Sequence, residues 1–127
     1  EAEKAALRIQ SVFRSWKAIK KWKARVRMHV HRTYVANEIF KTEKHYVNSL
    51  RVFLEVFYYP LCKRKVVEQG VLETIFGNIS RIYDIHVDLL ADITQRLDDW
   101  SYDQTLGDVF NKYWKTMQCY EEYVNNY

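Results

Sequence analysis

Residues 37–50 decide the fold; they read NEIFKTEKHYVNSL and belong to a longer amphipathic segment from about Thr33 to Tyr59. Apolar side chains recur three and four residues apart along this segment, a spacing that places them on one side of an α-helix. The members of this stripe are Ile39, Tyr46, Leu50, Phe53 and Phe57, with Phe40, Val47 and Leu54 beside it. Because proline disfavours helical geometry in the residue before it, Pro60 predicts that this helix ends at Tyr59.

Helical spacing also continues outward from this segment in both directions. Residues 4–30 form a first amphipathic segment, residues 71–99 a third, and residues 105–127 a fourth. The 127 residues include only three glycines and one proline, and no hairpin turn separates alternating strands. This scarcity of breakers predicts an all-α protein of long amphipathic helices.

Charge divides the chain into two parts. Residues 1–32 carry ten Lys or Arg and two Glu, a net charge of +8. Residues 33–127 carry ten Lys or Arg and fourteen Asp or Glu, a net charge of −4. We therefore interpret residues 1–32 as a basic helical arm and residues 33–127 as a separate, mildly acidic helical domain.

Several kinds of chemistry are disfavoured by the sequence. No two histidines share a helix face at metal-ligand spacing, and no glycine-rich phosphate loop occurs, so we expect no metal site and no cofactor. Cys62 and Cys119 are too few and too distant for a disulfide framework. No membrane-spanning run or signal peptide is apparent, and we therefore expect a cytoplasmic protein.

The basic arm contains the stretch IQSVFRSWKAI, residues 9–19, which resembles the calmodulin-binding IQ motif. The residues that match the motif are Ile9, Gln10 and Arg14, whereas Ser15 and Ile19 replace its glycine and its second arginine. Bulky apolar anchors occupy relative positions 1, 5, 8 and 14, and they are Ile9, Phe13, Trp16 and Trp22.

A basic helix with such anchors suits the acidic, methionine-lined grooves of calmodulin-like EF-hand proteins. The resemblance implies a calmodulin-binding surface made of Ile9, Gln10, Phe13, Arg14, Trp16, Ile19 and Trp22. Two alternatives are a helix that packs on its own domain with its Lys and Arg solvated, and a peripheral membrane helix. Nucleic-acid binding is not favoured, because the positive charge is confined to one helix and no reading motif accompanies it.

Three ordered stretches of residues 33–127 resemble the Dbl-homology domain. Residues 37–50 carry Glu38, Thr42, Glu43, Tyr46, Val47 and Leu50 in register with the first characteristic region of that family. Residues 75–100 are similar to its Phe-Gly-Asn-Ile segment. Residues 105–127 resemble its Gly-Asp-Val-Phe segment, including the closing Asn-Tyr.

This resemblance implies guanine-nucleotide exchange on a Rho-family GTPase, without covalent chemistry by the exchange factor. By register, Glu38 corresponds to the acidic residue that contacts switch I of the GTPase, and Thr42 lies one helical turn farther along. At about 100° per residue, Glu38 falls roughly 120° from the centre of the apolar stripe, at its flank. Tyr46, Leu50 and the apolar residues between positions 75 and 124 are expected in the core.

The third characteristic region of the family does not occur in these residues. We therefore expect residues 33–127 to be the N-terminal part of a Dbl-homology domain, with little exchange activity alone. Its apolar stripes would be partly uncovered, and a homodimer formed by segment exchange is one way to cover them. A non-catalytic calmodulin-binding scaffold or dimerisation module is the alternative function.

Overall fold

The structure, a computed structural model, describes residues 1–125, although not the side chain of Glu122. These residues form helices and connecting turns without any strand, which confirms the all-α prediction. The closing Asn-Tyr of the third sequence stretch, at residues 126–127, lies outside the described residues.

Six α-helices follow one another along residues 1–125, with two short helical turns of other types. They are α1 (Ala2–Phe53), α2 (Tyr59–Arg64), α3 (Gln69–Phe76), α4 (Ile79–Asp98), α5 (Gly107–Tyr113) and α6 (Cys119–Asn125). A π-helical turn, Leu54–Tyr58, joins α1 to α2, and a 3₁₀ turn, Thr116–Gln118, precedes α6. By packing, the chain divides into two units, Glu1–Val35 and Ala36–Tyr127, so α1 contributes to both.

The first unit is entirely helical and has no interior. None of residues 1–35 is buried, and residues 1–25 are all exposed. Its helix is therefore held by its own backbone hydrogen bonds and by contacts between neighbouring side chains on its surface. Such a helix has only marginal stability in water by itself.

The second unit is built around α4, whose apolar residues recur at helical spacing and are almost completely buried. The core comprises Leu50, Leu54, Leu72, Phe76, Ile79, Ile82, Ile85, Leu89, Ile93, Val109, Tyr113 and Cys119. Five of these residues come from α4, and Leu89 and Ile93 have no exposed surface at all. Because every other helix of this unit contributes to the same cluster or packs on it, α4 is the central element of the domain.

A chain of polar side chains crosses this apolar core. Glu43 Oε1 of α1 accepts a hydrogen bond from His86 Nδ1 of α4 at 2.5 Å. His86 Nε2 lies 2.7 Å from the hydroxyl of Tyr120 in α6, and that hydroxyl lies 2.7 Å from the hydroxyl of Tyr46 in α1. We name Glu43, His86, Tyr120 and Tyr46 the polar chain. It satisfies the hydrogen-bonding groups of three helices that would otherwise be buried without partners.

Pro60 does not end the helical chain, so the prediction of an end at Tyr59 is wrong. The chain widens into the π-helical turn, where the N–H of Tyr59 donates to the carbonyl of Leu54, and continues as α2 to Arg64. Pro60 occupies the first turn of α2, where its missing N–H is not needed. Lys65, with a φ of 50°, then ends α2 in the left-handed region.

The predicted helix over residues 71–99 is interrupted, because Gly77 adopts a φ of 51° and a ψ of −133° between α3 and α4. The break lets Asn78 Nδ2 donate to the carbonyl of Cys119 at 2.8 Å, which joins the start of α4 to α6. The last predicted segment is interrupted as well, by a turn at Trp114 and by the 3₁₀ turn before α6. In the sequence, apolar residues keep their helical spacing across both interruptions, so this spacing does not reveal where the helices end.

Part of the predicted core is exposed instead. Phe57 is 52% exposed, Ile75 49%, Trp114 69% and Val124 65%. The π-helical turn explains Phe57: its wider spacing turns Leu54 and Tyr58 toward the core and moves Phe57 off the apolar stripe. The homodimer that would cover such surfaces stays a prediction.

The backbone at Gly77 generates a first prediction. Gly77→Ala should destabilise the protein by about 1–3 kcal/mol, because a side chain is strained at this positive φ. Gly70→Ala, in α3, should leave stability unchanged or raise it by up to about 1 kcal/mol, since an added Cβ meets nothing within 4 Å. Urea unfolding followed by circular dichroism measures both, and a Gly77→Ala protein as stable as Gly70→Ala would contradict the assigned backbone.

The polar chain generates a second prediction. His86→Ala should destabilise the protein by about 3–5 kcal/mol, because it leaves the nearly buried carboxylate of Glu43 without its partner. Tyr46→Phe removes only the terminal hydroxyl and should cost about 1 kcal/mol. Urea unfolding measures the loss of stability in both variants. An equal loss in His86→Ala and Tyr46→Phe would show that the hydrogen bond between Glu43 and His86 does not stabilise the protein as proposed.

Candidate functional site

Two glutamates on one stretch of α1 have opposite environments. Glu43 points into the core and is held by His86, whereas Glu38 is exposed. They are five positions apart in the sequence, which turns their side chains roughly 140° apart around the helix axis at about 100° per residue. The helix face that buries Ala36, Glu43 and Leu50 therefore directs Glu38 away from the core.

Glu38 is an available anionic group. Among the described residues it has no hydrogen-bond or ion-pair partner, and Thr42, one turn farther along α1, is exposed too. The carboxylate can accept hydrogen bonds from an incoming partner without first breaking an internal contact. Its position at the flank of the apolar stripe agrees with the position that the sequence predicts.

The sequence analysis missed the polar chain. No partner was predicted for His86, and Glu43 was considered only as part of a motif. A titratable residue inside an otherwise apolar stripe was the available signal, because a buried polar group needs a partner. The partner could not be named, since Glu43 lies 43 residues away in the sequence.

Burial affects the titration of Tyr120 in the polar chain. The pKa of Tyr120 is raised far above its usual range, first by burial and then by its hydrogen bond with Tyr46. Tyr120 therefore keeps its proton, and its hydroxyl lies within hydrogen-bond distance of both His86 Nε2 and the Tyr46 hydroxyl. These hydrogen bonds join α1, α4 and α6 to one another.

The seven residues that the sequence predicts for calmodulin binding are all exposed. They are Ile9, Gln10, Phe13, Arg14, Trp16, Ile19 and Trp22. The apolar members among them expose between 52% and 70% of their surface. Large apolar side chains exposed along one continuous helix mark a surface suited to a partner.

Within the arm, aromatic and basic side chains contact one another. The rings of Phe13 and Trp16 are stacked with their centroids 5.9 Å apart. Lys17 Nζ lies 5.6 Å from the Phe13 ring centroid, and Lys20 Nζ lies 5.1 Å from that of Trp16. Cations over aromatic faces at this distance are attracted by the ring quadrupole. The arm thus presents apolar anchors with positive charge directly beside them.

A second group of polar residues fastens α4 to α5. The Arg96 guanidinium donates to both carboxylate oxygens of Asp108, at 2.9 and 2.6 Å, and also to the carbonyl of Thr105. This bidentate hydrogen bond holds the pKa of the Asp108 carboxyl far below its usual range. Arg96 is fully engaged and is not a free cation for a ligand.

Asp92 is engaged in the same way one turn earlier on α4. It accepts hydrogen bonds from Lys112 Nζ at 2.6 Å and from the Tyr113 hydroxyl at 2.8 Å. These two donors, Lys112 first, lower the pKa of the Asp92 carboxyl. Both ion pairs line an open depression between α4 and α5 and hold these two helices together.

The part of the chain that the structure describes, residues 1–125, also lacks the features of several other kinds of site. There, no three His, Cys, Asp or Glu side chains are grouped so that they could hold a metal ion. No helix among residues 1–125 is both long and apolar enough to span a membrane. Cys62 and Cys119 are free thiols, and Cys119 is buried.

A known sequence family matches the second unit. The sequence model of the RhoGEF domain matches residues 35–127. FYVE, RhoGEF and PH domain-containing protein 2 of Homo sapiens is 36% identical over 98 residues, which are 73% of this chain and 15% of that protein. Protein ECT2 of Mus musculus is 32% identical over 100 residues, which are 74% of this chain and 11% of that protein.

A third relative extends the same pattern. Rho guanine nucleotide exchange factor 10 of Homo sapiens is 32% identical over 101 residues, or 76% of this chain and 7% of that protein. The chain thus spans only a small part of the length of these relatives. No solved structure matches it.

The matched residues 35–127 include Glu38, the whole polar chain and every helix of the core cluster. They cover more than half of the chain, and they begin beside the boundary between the two packing units. The resemblance to the Dbl-homology domain is confirmed, and the chain belongs to the RhoGEF domain family.

Proposed function

We propose that this protein acts in guanine-nucleotide exchange on a Rho-family GTPase and that Glu38 contacts the GTPase directly. The observation that carries the proposal is the exposed carboxylate of Glu38, which has no partner among the described residues. It lies on α1, within the part of the chain that matches the RhoGEF domain. The hydrogen bond between Glu43 and His86 fixes the rotation of α1 about its axis. The names of two relatives, which contain RhoGEF and Rho guanine nucleotide exchange factor, support the same activity.

The mechanism requires no covalent chemistry. A protein that binds the nucleotide-free GTPase more tightly than the nucleotide-bound form lowers the nucleotide affinity of the GTPase by the same factor. Only contacts that differ between the two forms contribute to this effect. By the family resemblance, Glu38 makes such a contact with switch I, and Thr42 extends the same exposed strip of α1.

Substitution of Glu38 tests this proposal. Glu38→Ala should weaken binding of the chain to a nucleotide-free Rho-family GTPase about tenfold to a hundredfold, because it removes a charge-assisted hydrogen bond. Glu38→Gln keeps an acceptor oxygen and should have a smaller effect. Calorimetry with GTPase freed of nucleotide by chelation of Mg²⁺ gives the affinity, and release of a fluorescent GDP analogue gives the exchange rate.

Glu121→Gln and Glu121→Ala are the matched controls, because Glu121 is an exposed glutamate on another helix. They should leave the affinity for the GTPase unchanged. Affinity is the primary measurement, since exchange by these residues alone is proposed to be weak. If the native protein binds the GTPase and both Glu38 variants bind it equally well, Glu38 has no role in the contact. No GTPase binding at all would favour the alternative, a non-catalytic scaffold.

We further propose that the arm binds calmodulin or a related EF-hand protein. Three anchors, Ile9, Phe13 and Trp16, project within roughly 60° of one another at about 100° per residue. Trp22 projects roughly 145° away from that group, on the other side of the helix. A flat membrane surface can bury only one of these sides, whereas a two-lobed partner can enclose both.

Charge supports the same partner. Residues 1–32 carry a net charge of +8, which complements the acidic surface of an EF-hand protein. We also propose that the protein binds the GTPase and calmodulin in the cytoplasm. The free thiols of Cys62 and Cys119 are compatible with that reducing compartment.

Trp16 provides the test of calmodulin binding. Trp16→Ala should raise the dissociation constant for calmodulin about thirtyfold, the equivalent of about 2 kcal/mol for a buried anchor. Trp114→Ala is the matched control, because Trp114 is 69% exposed and lies in the second unit. Titrations with and without calcium, followed by calorimetry, give both constants. Absence of binding near micromolar concentrations by the native protein in both conditions would eliminate calmodulin as the partner.

A further inference from the structure

We propose that Ser11 is a phosphorylation site for a serine kinase that selects arginine three residues before its target, and that the phosphate releases calmodulin from the arm. The second half of this proposal rests on the proposed calmodulin binding. It concerns a hydroxyl that neither the exchange function nor the apolar anchors use.

The sequence around Ser11 has the charge pattern that such a kinase reads. Arg8 precedes Ser11 by three residues, Val12 follows it directly, and Arg14 lies three residues beyond it. Kinases select substrates through charge patterns of this type. Ser15, the other serine of the arm, has Val12 in place of arginine at the third position before it. The two serines therefore differ in the feature that matters most for recognition.

Ser11 is also accessible. It is exposed, as are all residues from Glu1 to Arg25, and no residue before Ala36 is buried. Because the helix in this unit lacks a core, local opening to the extended form that kinases bind costs little free energy. In the reaction, the Ser11 oxygen bonds to the γ-phosphorus of ATP as the bond to the β–γ bridging oxygen breaks. ADP leaves, and the hydroxyl proton passes to the base of the kinase.

The phosphate would act on the arm through charge. It carries about −1.5 to −2 at pH 7, within a segment whose net charge is +8. In the helix, Arg8 and Arg14 lie three residues to either side of Ser11, close enough to donate charge-assisted hydrogen bonds to it. Arg14, which matches the IQ motif, would then be engaged within the arm. The phosphate itself would face the acidic surface of the partner within about one Debye length.

The first experiment locates the modification. The full chain is incubated with Mg²⁺, ATP and a constitutively active, calmodulin-independent kinase domain that has this arginine preference, and the products are mapped by mass spectrometry. We expect phosphate on Ser11, its loss in Ser11→Ala and in Arg8→Ala, and its retention in Ser15→Ala. No phosphate on Ser11, or labelling that Arg8→Ala does not reduce, overturns the assignment of the site.

The second experiment measures the consequence. Phosphoserine is incorporated during translation at position 11 of the full chain, or at exposed position 101 as the control, and calmodulin is titrated into each protein. We expect the dissociation constant to rise at least tenfold for position 11 and to stay unchanged for position 101. Calmodulin binding that phosphoserine at position 11 leaves unchanged overturns the regulatory half of this proposal alone. Absence of binding by the unmodified chain overturns the proposed calmodulin binding, and the regulatory half with it.

Discussion

The hydrogen bond between Glu43 and His86 is the constraint on which the second unit depends. A carboxylate placed in an apolar interior is tolerated only when donors satisfy it, and His86 supplies that donor from the middle of α4. The bond allows α1 to pack in one rotation about its axis. A rotation by one residue, roughly 100°, would carry the carboxylate out of reach of the imidazole. The outward direction of Glu38 is thus a consequence of the inward direction of Glu43.

The central position of α4 follows from two kinds of contact on its surface. Its apolar side packs against the other helices of the unit, and His86 joins that side to α1 and α6. Its polar flank carries Asp92 and Arg96, which fasten α5 through charge-assisted hydrogen bonds. The carboxyl groups of Asp92 in α4 and Asp108 in α5 have pKa values below their usual range, because Lys112 and Arg96 donate hydrogen bonds to them. The apolar contacts hold the helices together, and the polar contacts select how they are turned.

Sequence periodicity predicted the helices well and their interruptions badly. Apolar spacing extends through the π-helical turn before Pro60 and through the positive φ of Gly77, so neither break changes the pattern that reveals a helix. The exposure of Glu38 could be predicted, since it depends only on the local helical register. The pairing of Glu43 with His86 could not, because a contact between distant residues is a property of packing and not of spacing.

The arm presents a different physical situation from the domain. Its aromatic side chains have no interior to enter, and lysines lie over two of the rings instead. Because these rings are already exposed, a partner could bury them without first removing them from a core. The same lack of a core that leaves the anchors available also leaves Ser11 open to modification. The proposed binding and its proposed regulation therefore depend on one property of the arm: it is helical in structure yet buries none of its own side chains.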